Sequence, residues 1–343
     1  PKGAFAPPRY IAFHNGVLDV ETMAFSDASP DLIVPNQIPW DWLPGASSTE
    51  VEAYLDSTAG GDPDSLARIE EMLGACLYRG KLSTMFVVVG MAPVPDGDAS
   101  NGKSTLIELC FSLVGDENCI PMDVQVFGMR FAAADIDGKL VVGSTDAPSE
   151  KPDSVSLSIL KRVVTCDRIE SDTKNGPRVY FKPYATVILG ANRVPPFIDD
   201  AGLKRRPVVV PLKGKFPRNG PDPLETLVTD EHMPALIVHA VAGLRRLLEN
   251  GPAPSADGDR ALAGIIAMSS TVEQWVDDEG VEPSALNGEP CTKTYQRYAS
   301  WCGSSGERPI KRSEFDQELS RRWPGLRSER CRFNGQPTTK RWI

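Results

Sequence analysis

An α/β fold with a mainly parallel sheet is predicted by two features of this 343-residue sequence. An apolar run from Met85 to Val89 is followed by a glycine-rich loop and by a helically spaced apolar segment, Thr105 to Val114. Three further apolar runs occupy Leu140 to Val142, Thr186 to Leu189 and Val208 to Leu212. Unbroken apolar runs are typical of strands that helices cover on both faces, as in parallel sheets. We therefore expect one sheet flanked by helices.

The glycine-rich loop reads GDASNGKST. Such a loop directs successive backbone N–H groups toward phosphate oxygens, while Lys103 reaches the β- and γ-phosphates and the Ser104 hydroxyl binds Mg²⁺. Since a strand precedes the loop and a helix follows it, the sequence predicts a site for ATP and Mg²⁺. The residues expected to hold the nucleotide are Gly97, Ser100, Asn101, Gly102, Lys103, Ser104 and Thr105.

Four polar residues at the ends of predicted strands are candidates for the rest of a nucleotide site. Asp146 follows a strand, where a carboxylate would hold Mg²⁺ or its water; a loop carboxylate that caps the next turn is the alternative. Asn192 ends another strand, where its amide would meet the γ-phosphate and the attacking water, unless it serves as a turn former. Arg205 and Arg206 immediately precede the last strand, and such a pair suits phosphate or carboxylate binding.

Two hairpins are predicted outside this sheet. In YIAFHNGVLDV, Asn15-Gly16 separates two apolar runs, which is a strong hairpin signal. In RIESDTKNGPRVYFK, residues 168–182, Lys174 and Arg178 flank an Asn-Gly turn. The second segment is interpreted as a protruding hairpin with a basic tip, and a plain surface hairpin is the alternative.

The distribution of charge predicts a basic module at the C-terminal end. The whole chain has a formal charge of −9, but residues 307–343 contain ten Lys or Arg against five acidic residues. This segment therefore carries +5 and the remainder −14. A local basic surface of this kind suits nucleic acid, and an ordinary solvated face is the alternative.

Punctuation by proline and glycine suggests three parts. The run NGPAPSADGD, from Asn250, is interpreted as a linker. We expect a small mixed N-terminal region over residues 1–80, a P-loop core with a helical end over 81–250, and a basic, winged-helix-like domain over 260–343. Residue 1 is Pro, so the sequence is interpreted as a piece of a longer protein.

Composition argues against several classes of protein. Seven cysteines without a CxxC pair do not suggest a disulfide scaffold in a chain of this length. The three histidines do not cluster with cysteines or acids at metal-ligand spacing, which disfavours a structural zinc. No apolar stretch approaches the roughly 18 residues of a membrane span, and no signal peptide is visible. A cytoplasmic protein is expected.

Taken in order, these motifs resemble the superfamily 3 helicase domain, of AAA+ type, of phage, plasmid and poxvirus-type primase-helicases. HNGVLDV is similar to the family's NGVLD segment, SNGKST to its Walker A motif, and GKLVVGSTD occupies the Walker B position. LKRVVTCDRIESDTK resembles the segment that leads into the DNA-contacting hairpin. LGANRVPPFID and GLKRRPVVVPL resemble the sensor asparagine and the paired arginines, and YQRYASWCGSSG the start of the winged-helix-like segment.

The resemblance implies an ATP-driven DNA helicase or translocase that works as a homo-oligomeric ring, expected to be a hexamer. One arginine of the pair would enter the neighbouring subunit's site, while Lys174 and Arg178 would contact single-stranded or forked DNA. A primase or polymerase domain is expected upstream, and the host-cell cytoplasm is the expected location if a phage encodes the chain. The catalytic residues implied are Lys103, Asp146, Asn192, Arg205 and Arg206, with Ser104 and Asp146 as Mg²⁺ ligands.

Two functions of other classes remain open at this point. The chain could be a replication initiator that binds DNA with little unwinding and uses ATP as an assembly switch. It could also be a monomeric phosphotransferase for a small molecule, which the phosphate-binding loop alone permits. Strand separation by an assembled protein distinguishes a helicase from the first, and stimulation of ATP hydrolysis by DNA distinguishes it from the second.

Overall fold

The computed structural model describes residues 5–91, 99–147, 152–173, 176–192, 194–200, 202–217, 220–269, 271–305, 309–331 and 339–343. It separates into two units, Pro1–Leu262 and Ala263–Ile343. Within the first unit, residues before and after position 80 contribute to one hydrophobic cluster, which includes Phe13, Leu73, Val88 and Leu244. The division into three parts stays a prediction. Among the described residues, no helix combines the length and the apolar composition needed to cross a bilayer.

The N-terminal part contains a small sheet and two helices. Its elements are β1 (Tyr10–Phe13), β2 (Gly16–Asp19), β3 (Phe25–Ser26), β4 (Gln37–Ile38), α1 (Thr49–Ala59) and α2 (Pro63–Cys76). The predicted hairpin forms, but Phe13 pairs with Gly16, so the turn is one residue earlier than Asn15-Gly16. Gly16 belongs to the strand: its φ is +155°, and a Cβ there would lie 2.6 Å from Cζ of Phe25.

The central part contains a five-stranded sheet in the order β12-β5-β11-β8-β7. Its elements are β5 (Met85–Gly90), β6 (Ala99–Ser100), α3 (Lys103–Val114), β7 (Cys119–Pro121), β8 (Val141–Ser144), α4 (Ser154–Thr165), β9 (Ile169–Ser171), β10 (Val179–Phe181), β11 (Thr186–Ala191), β12 (Pro207–Leu212), β13 (Phe216–Pro217), α5 (Pro223–Leu227) and α6 (Met233–Asn250). All four pairings in the sheet are parallel. The predicted α/β class is confirmed, and the short strand β7 is an addition to it.

Burial explains why the apolar runs form these strands. Every residue of β8, β11 and β12 is buried. Helices α2 and α3, which also pack on each other, contact β12 and β5, β8 and β11 respectively, and α4 contacts β11. A strand that is covered on both faces has no polar side and therefore shows no alternation in its sequence. The sheet positions the candidate site, since all five strands end at the same edge.

The second unit combines helices with a terminal hairpin, and its winged-helix-like character stays a prediction. The last elements of the chain are α7 (Ala256–Ser269), α8 (Thr271–Asp278), α9 (Pro283–Leu286), α10 (Cys291–Ser304), α11 (Arg312–Arg322), β14 (Ser328–Cys331) and β15 (Thr339–Trp342). Its core contains Trp275, Tyr298, Phe315 and Trp342, each fully buried. The rings of Tyr298 and Phe315 stack at a centroid distance of 4.7 Å.

The linker predicted from Asn250 to Asp259 is shorter than expected, because α7 already begins at Ala256. The Gly258 N–H donates to Oγ of Ser255 at 3.2 Å, which caps the helix start. Asp259 accepts a hydrogen bond at 2.7 Å from Arg68, whose side chain is buried. The linker prediction was wrong over residues 256–259, which are helical. The sequence did not indicate this, because Asp259 is held by an ion pair with Arg68, which is distant in the chain.

Candidate nucleotide site

The phosphate-binding loop ends at the N-terminus of α3. Gly102 has φ +74°, a conformation that favours glycine, and Lys103 is the first residue of the helix. The first hydrogen bond of the helix runs from the Leu106 N–H to the Gly102 carbonyl, so the N–H groups of the preceding turn lack partners within the helix. Lys103 is half-buried and Ser104 is exposed. This end of α3 therefore offers N–H groups and a cation to an anion.

Three of the predicted loop residues need separate mention. Gly97 lies outside the described residues. Ser100 belongs to β6, which pairs antiparallel with β13 in the register Phe216 to Ser100. Nδ2 of Asn101 donates to the Gly214 carbonyl at 3.0 Å. The segment after β12 thus contacts the loop by strand pairing and by a hydrogen bond, and the sequence did not predict these contacts.

The segment after β12 is itself fixed by Lys213. Its ammonium group lies 2.8 Å from a carboxylate oxygen of Asp62 and 2.7 Å from one of Asp257. The hydrogen bond with Asp257, followed by that with Asp62, raises the pKa of Lys213. The ammonium therefore stays charged and holds the carboxyl end of β12 to the start of α2 and to α7.

Asp146 and Asn192 lie at the same edge of the sheet as the loop. Ser144, the last residue of β8, is level with Leu189 of β11 and, through it, with Val87 of β5; β11 then runs two residues further and β5 three, all toward the same edge. Neighbouring strands are about 4.8 Å apart, which puts the strand before Asp146 about 10 Å from the strand before the loop, with β11 between them. Both side chains are exposed. The fold thus brings these two predicted residues to the edge that carries Lys103 and Ser104.

A close backbone contact fixes the turn that bears Asp146. The Ala147 N–H donates to the Gly190 carbonyl at 2.6 Å. A Cβ on Gly190 would lie 2.3 Å from the Thr145 carbonyl oxygen and 2.8 Å from Cδ1 of Ile107. Only glycine allows β11, this turn and α3 to approach so closely.

A second carboxylate at this edge was not anticipated. Asp123 follows β7 and accepts a hydrogen bond from Oγ of Ser144, whose hydroxyl in turn accepts one from the Asp146 N–H at 3.4 Å. The residue before Asp146 is Thr145, not a second acid. The next strand therefore supplies an acid beside Asp146.

The arginine pair lies at the opposite edge of the sheet. Arg205 and Arg206 precede Pro207, which pairs with Met85 at the amino end of β5. A strand of six residues spans about 20 Å, so the pair stands about that far from its own phosphate-binding loop. Nη1 of Arg206 donates to the Ser83 carbonyl at 3.3 Å, while Arg205 is exposed. The fold does not bring these two residues to Lys103.

The predicted basic hairpin is β9 and β10, which pair antiparallel between α4 and the amino end of β11. Lys174 lies outside the described residues. Arg178 donates to Glu170 at 2.6 Å and to Asp172 at 3.0 Å. The hydrogen bond with Glu170, supported by the charge of Asp172, raises the pKa of Arg178. The charge of Arg178 is therefore already offset within its own hairpin.

The oxygen ligands at the carboxyl edge suit Mg²⁺. Mg²⁺ is usually held by one or two carboxylates together with substrate phosphates, and it prefers hard oxygen donors. Ser104 and Asp146 supply an exposed hydroxyl and an exposed carboxylate. Groups of three or more His, Cys, Asp or Glu residues, which would bind a metal without phosphate, are absent from the described part of the chain. The donor set therefore fits a cation that arrives with a nucleotide.

Some basic residues of the second unit form ion pairs and hydrogen bonds within that unit. Arg322 forms ion pairs with Glu273 and Asp277, and the buried Arg341 donates to the Gly288 carbonyl at 2.7 Å. Elsewhere, Arg312, Arg330 and Lys340 line a cleft of about 630 Å³. Asp316 lines the same cleft and lies 3.0 Å from the Lys340 ammonium, so the charge of Lys340 is offset there, while Arg312 and Arg330 remain as its other cations.

The chain is similar to several known proteins. Residues 96–206 match a family of unknown function, DUF5906, and residues 5–60 match the family described as D5 N terminal like. Over 219 residues the chain is 27% identical to the putative helicase L207/L206 of Acanthamoeba polyphaga mimivirus, which covers 60% of this chain and 22% of that protein. The chain thus matches under a quarter of that relative. The A form apo structure of the NrS-1 C terminal region superposes with a TM-score of 0.51 at 14% identity, covering 100% of this chain and 86% of that one, and it shares the fold.

Proposed function

We propose that this chain is the motor domain of a replicative DNA helicase of superfamily 3 and AAA+ type, which hydrolyses ATP. One observation carries the proposal. Three adjacent parallel strands, β5, β11 and β8, run toward one edge of the sheet, and the phosphate-binding loop, Asn192 and Asp146 follow their carboxyl ends there. Phosphoryl transfer depends on positioning and charge neutralisation, and these residue types supply both.

Each side chain has a definite task in this proposal. Lys103 and the N-terminus of α3 neutralise the β- and γ-phosphates. Asp146 accepts a hydrogen bond from the attacking water, and the amide of Asn192 orients that water against the γ-phosphate. Held by Ser104 and Asp146, Mg²⁺ would offset negative charge on the phosphate oxygens. Asp123 is a positioning residue, because it acts on Asp146 through Ser144.

The position of the arginine pair supports a ring. Because Arg205 and Arg206 stand about 20 Å from their own loop, they are suited to a site in another subunit rather than to their own. In a closed ring, every such contact is of the heterologous, head-to-tail kind. We therefore propose a homo-oligomer, expected to be a hexamer, in which one arginine of the pair completes the neighbour's ATP site.

DNA is the proposed partner. Lys174 on the hairpin would contact single-stranded or forked DNA, and the cleft around Arg312 and Arg330 would bind phosphates of the duplex. The putative viral helicase is over four times longer than the segment matched here, which is consistent with further domains in the whole protein. We also propose that a primase or polymerase domain lies upstream in the same protein. The protein would be encoded by a phage and would act in the cytoplasm of the host cell.

The test combines hydrolysis, assembly and strand separation. ATP hydrolysis by the purified chain is measured with and without single-stranded DNA, beside the unwinding of a labelled fork and the assembled mass. A helicase hydrolyses ATP faster with DNA and separates the fork as an oligomer. An assembled protein that binds DNA without separating or tracking it is an initiator. A monomer whose hydrolysis ignores DNA, and that phosphorylates a small molecule, is a phosphotransferase.

A further inference from the structure

A cavity of about 480 Å³ opens beside the N-terminus of α3. Gly102 and Thr105 of the phosphate-binding loop form part of its wall, so a ligand whose phosphates occupy the loop would reach into it. Its volume lies in the range usual for small-molecule sites, roughly 300 to 1,000 Å³. None of the tasks proposed so far uses this space.

Two aromatic side chains line the cavity, Tyr54 from α1 and Phe216 from β13. Their ring centroids are 6.2 Å apart at an interplanar angle of 32°. Phe216 lies directly over the loop, since a Cβ on Gly102 would be 2.9 Å from its ring. An aromatic face next to a phosphate site suits the flat π-system of a nucleobase.

One polar group accompanies the rings. Asp222 also lines the cavity and accepts a hydrogen bond from the Leu224 N–H at 3.0 Å through one carboxylate oxygen. A carboxylate can accept further bonds, and the exocyclic amino group of a base can donate one.

We propose that this cavity holds the nucleoside of a purine nucleoside triphosphate, with Phe216 stacked on the base and Asp222 accepting from its amino group. This inference rests on the proposed function, because it extends the same nucleotide site from the phosphates to the base. It makes Phe216 and Asp222 the residues that select the nucleotide.

Two variants test the cavity through KM values for ATP, GTP and UTP and through binding of a fluorescent ATP analogue. Phe216→Ala should raise KM and the dissociation constant about tenfold, with kcat changed less than twofold, because stacking is lost. Asp222→Asn, which keeps the helix cap, should lower the selectivity for ATP over UTP about tenfold. Phe25→Ala is the matched control, because Phe25 lies in the N-terminal sheet, and it should leave KM unchanged.

The outcomes separate this inference from the function on which it depends. Lys103→Ala tests only the contact with the phosphates. If this variant hydrolyses ATP at the wild-type rate, the assignment of the nucleotide site is wrong. If Lys103→Ala is inactive while Phe216→Ala and Asp222→Asn keep the wild-type KM and selectivity, the cavity assignment is overturned and the function stands. Equal KM values of the wild type for ATP, GTP and UTP would likewise overturn it. A lower KM for either purine nucleotide supports it, and the two values decide which purine is preferred.

Discussion

The two edges of the central sheet differ in what they carry. The carboxyl edge presents Lys103, Asp146 and Asn192, residues suited to a nucleotide and its metal ion. The amino edge presents the arginine pair and receives the chain from the hairpin of β9 and β10. With about 20 Å between them, the two sets cannot serve one site within one subunit. The difference teaches that one edge is suited to chemistry and the other to contacts outside the subunit.

The largest effect is expected at the amino edge. Replacing the functional arginine, by Arg205→Ala or Arg206→Ala, should lower ATP hydrolysis about 10³-fold, as for other arginine fingers. Mixing that variant with Lys103→Ala should restore partial hydrolysis, because some interfaces then combine an intact loop with an intact arginine. Steady-state hydrolysis across mixing ratios measures this. Mixed rings that stay inactive at every ratio would contradict a shared site.

At the carboxyl edge, Lys103→Ala should lower kcat by about 10² to 10³-fold, the usual cost of one charge-stabilising group. The fold should persist, because Lys103 is only half-buried and packs little. Circular dichroism and hydrolysis assays check both statements. Lys81→Ala is the matched control: Lys81 is an exposed lysine before β5, at the other edge, and should keep near wild-type hydrolysis.

A glycine at the carboxyl edge should matter for stability. Gly190→Ala places a methyl group 2.3 Å from the Thr145 carbonyl oxygen, and overpacking of this kind costs about 1 to 3 kcal/mol. Hydrolysis should fall too, because the turn that bears Asp146 must shift. Urea unfolding measures the loss. Gly303→Ala is the control, since nothing lies within 4 Å of a Cβ there, and a stability loss as large as that of Gly190→Ala would refute the steric explanation.

The smallest effects are expected in the hairpin. Lys174→Ala should reduce fork unwinding and DNA-stimulated hydrolysis several-fold while sparing basal hydrolysis, since its proposed contact is with DNA alone. Arg178→Ala should change unwinding less than twofold, because Glu170 and Asp172 already offset its charge. Unwinding and hydrolysis assays run side by side give both ratios. Should Arg178→Ala prove the more damaging variant, the assignment within the hairpin is reversed.

The elements that the sequence predicts are those recognised from consecutive residues. Continuous apolar runs identified four of the five sheet strands, and the GKST spelling located the start of α3 within two residues. The strand β7 escaped prediction because three residues, CIP, show no periodicity, and Asp123 escaped with it. The support of the loop by Gly214 was also missed, because it depends on an amide more than one hundred residues away.

The strand β12 has a mechanical consequence. Its six residues are buried and paired with β5 along their whole length, so we expect it to move as a rigid element. The strand begins next to the arginine pair, and its other end leads through Lys213 to Gly214, whose carbonyl accepts a hydrogen bond from the loop of the same subunit. In the proposed ring, each β12 would therefore connect two successive ATP sites. A displacement of the arginine during hydrolysis at one site would then change the binding of the nucleotide at the next, so that hydrolysis proceeds in order around the ring.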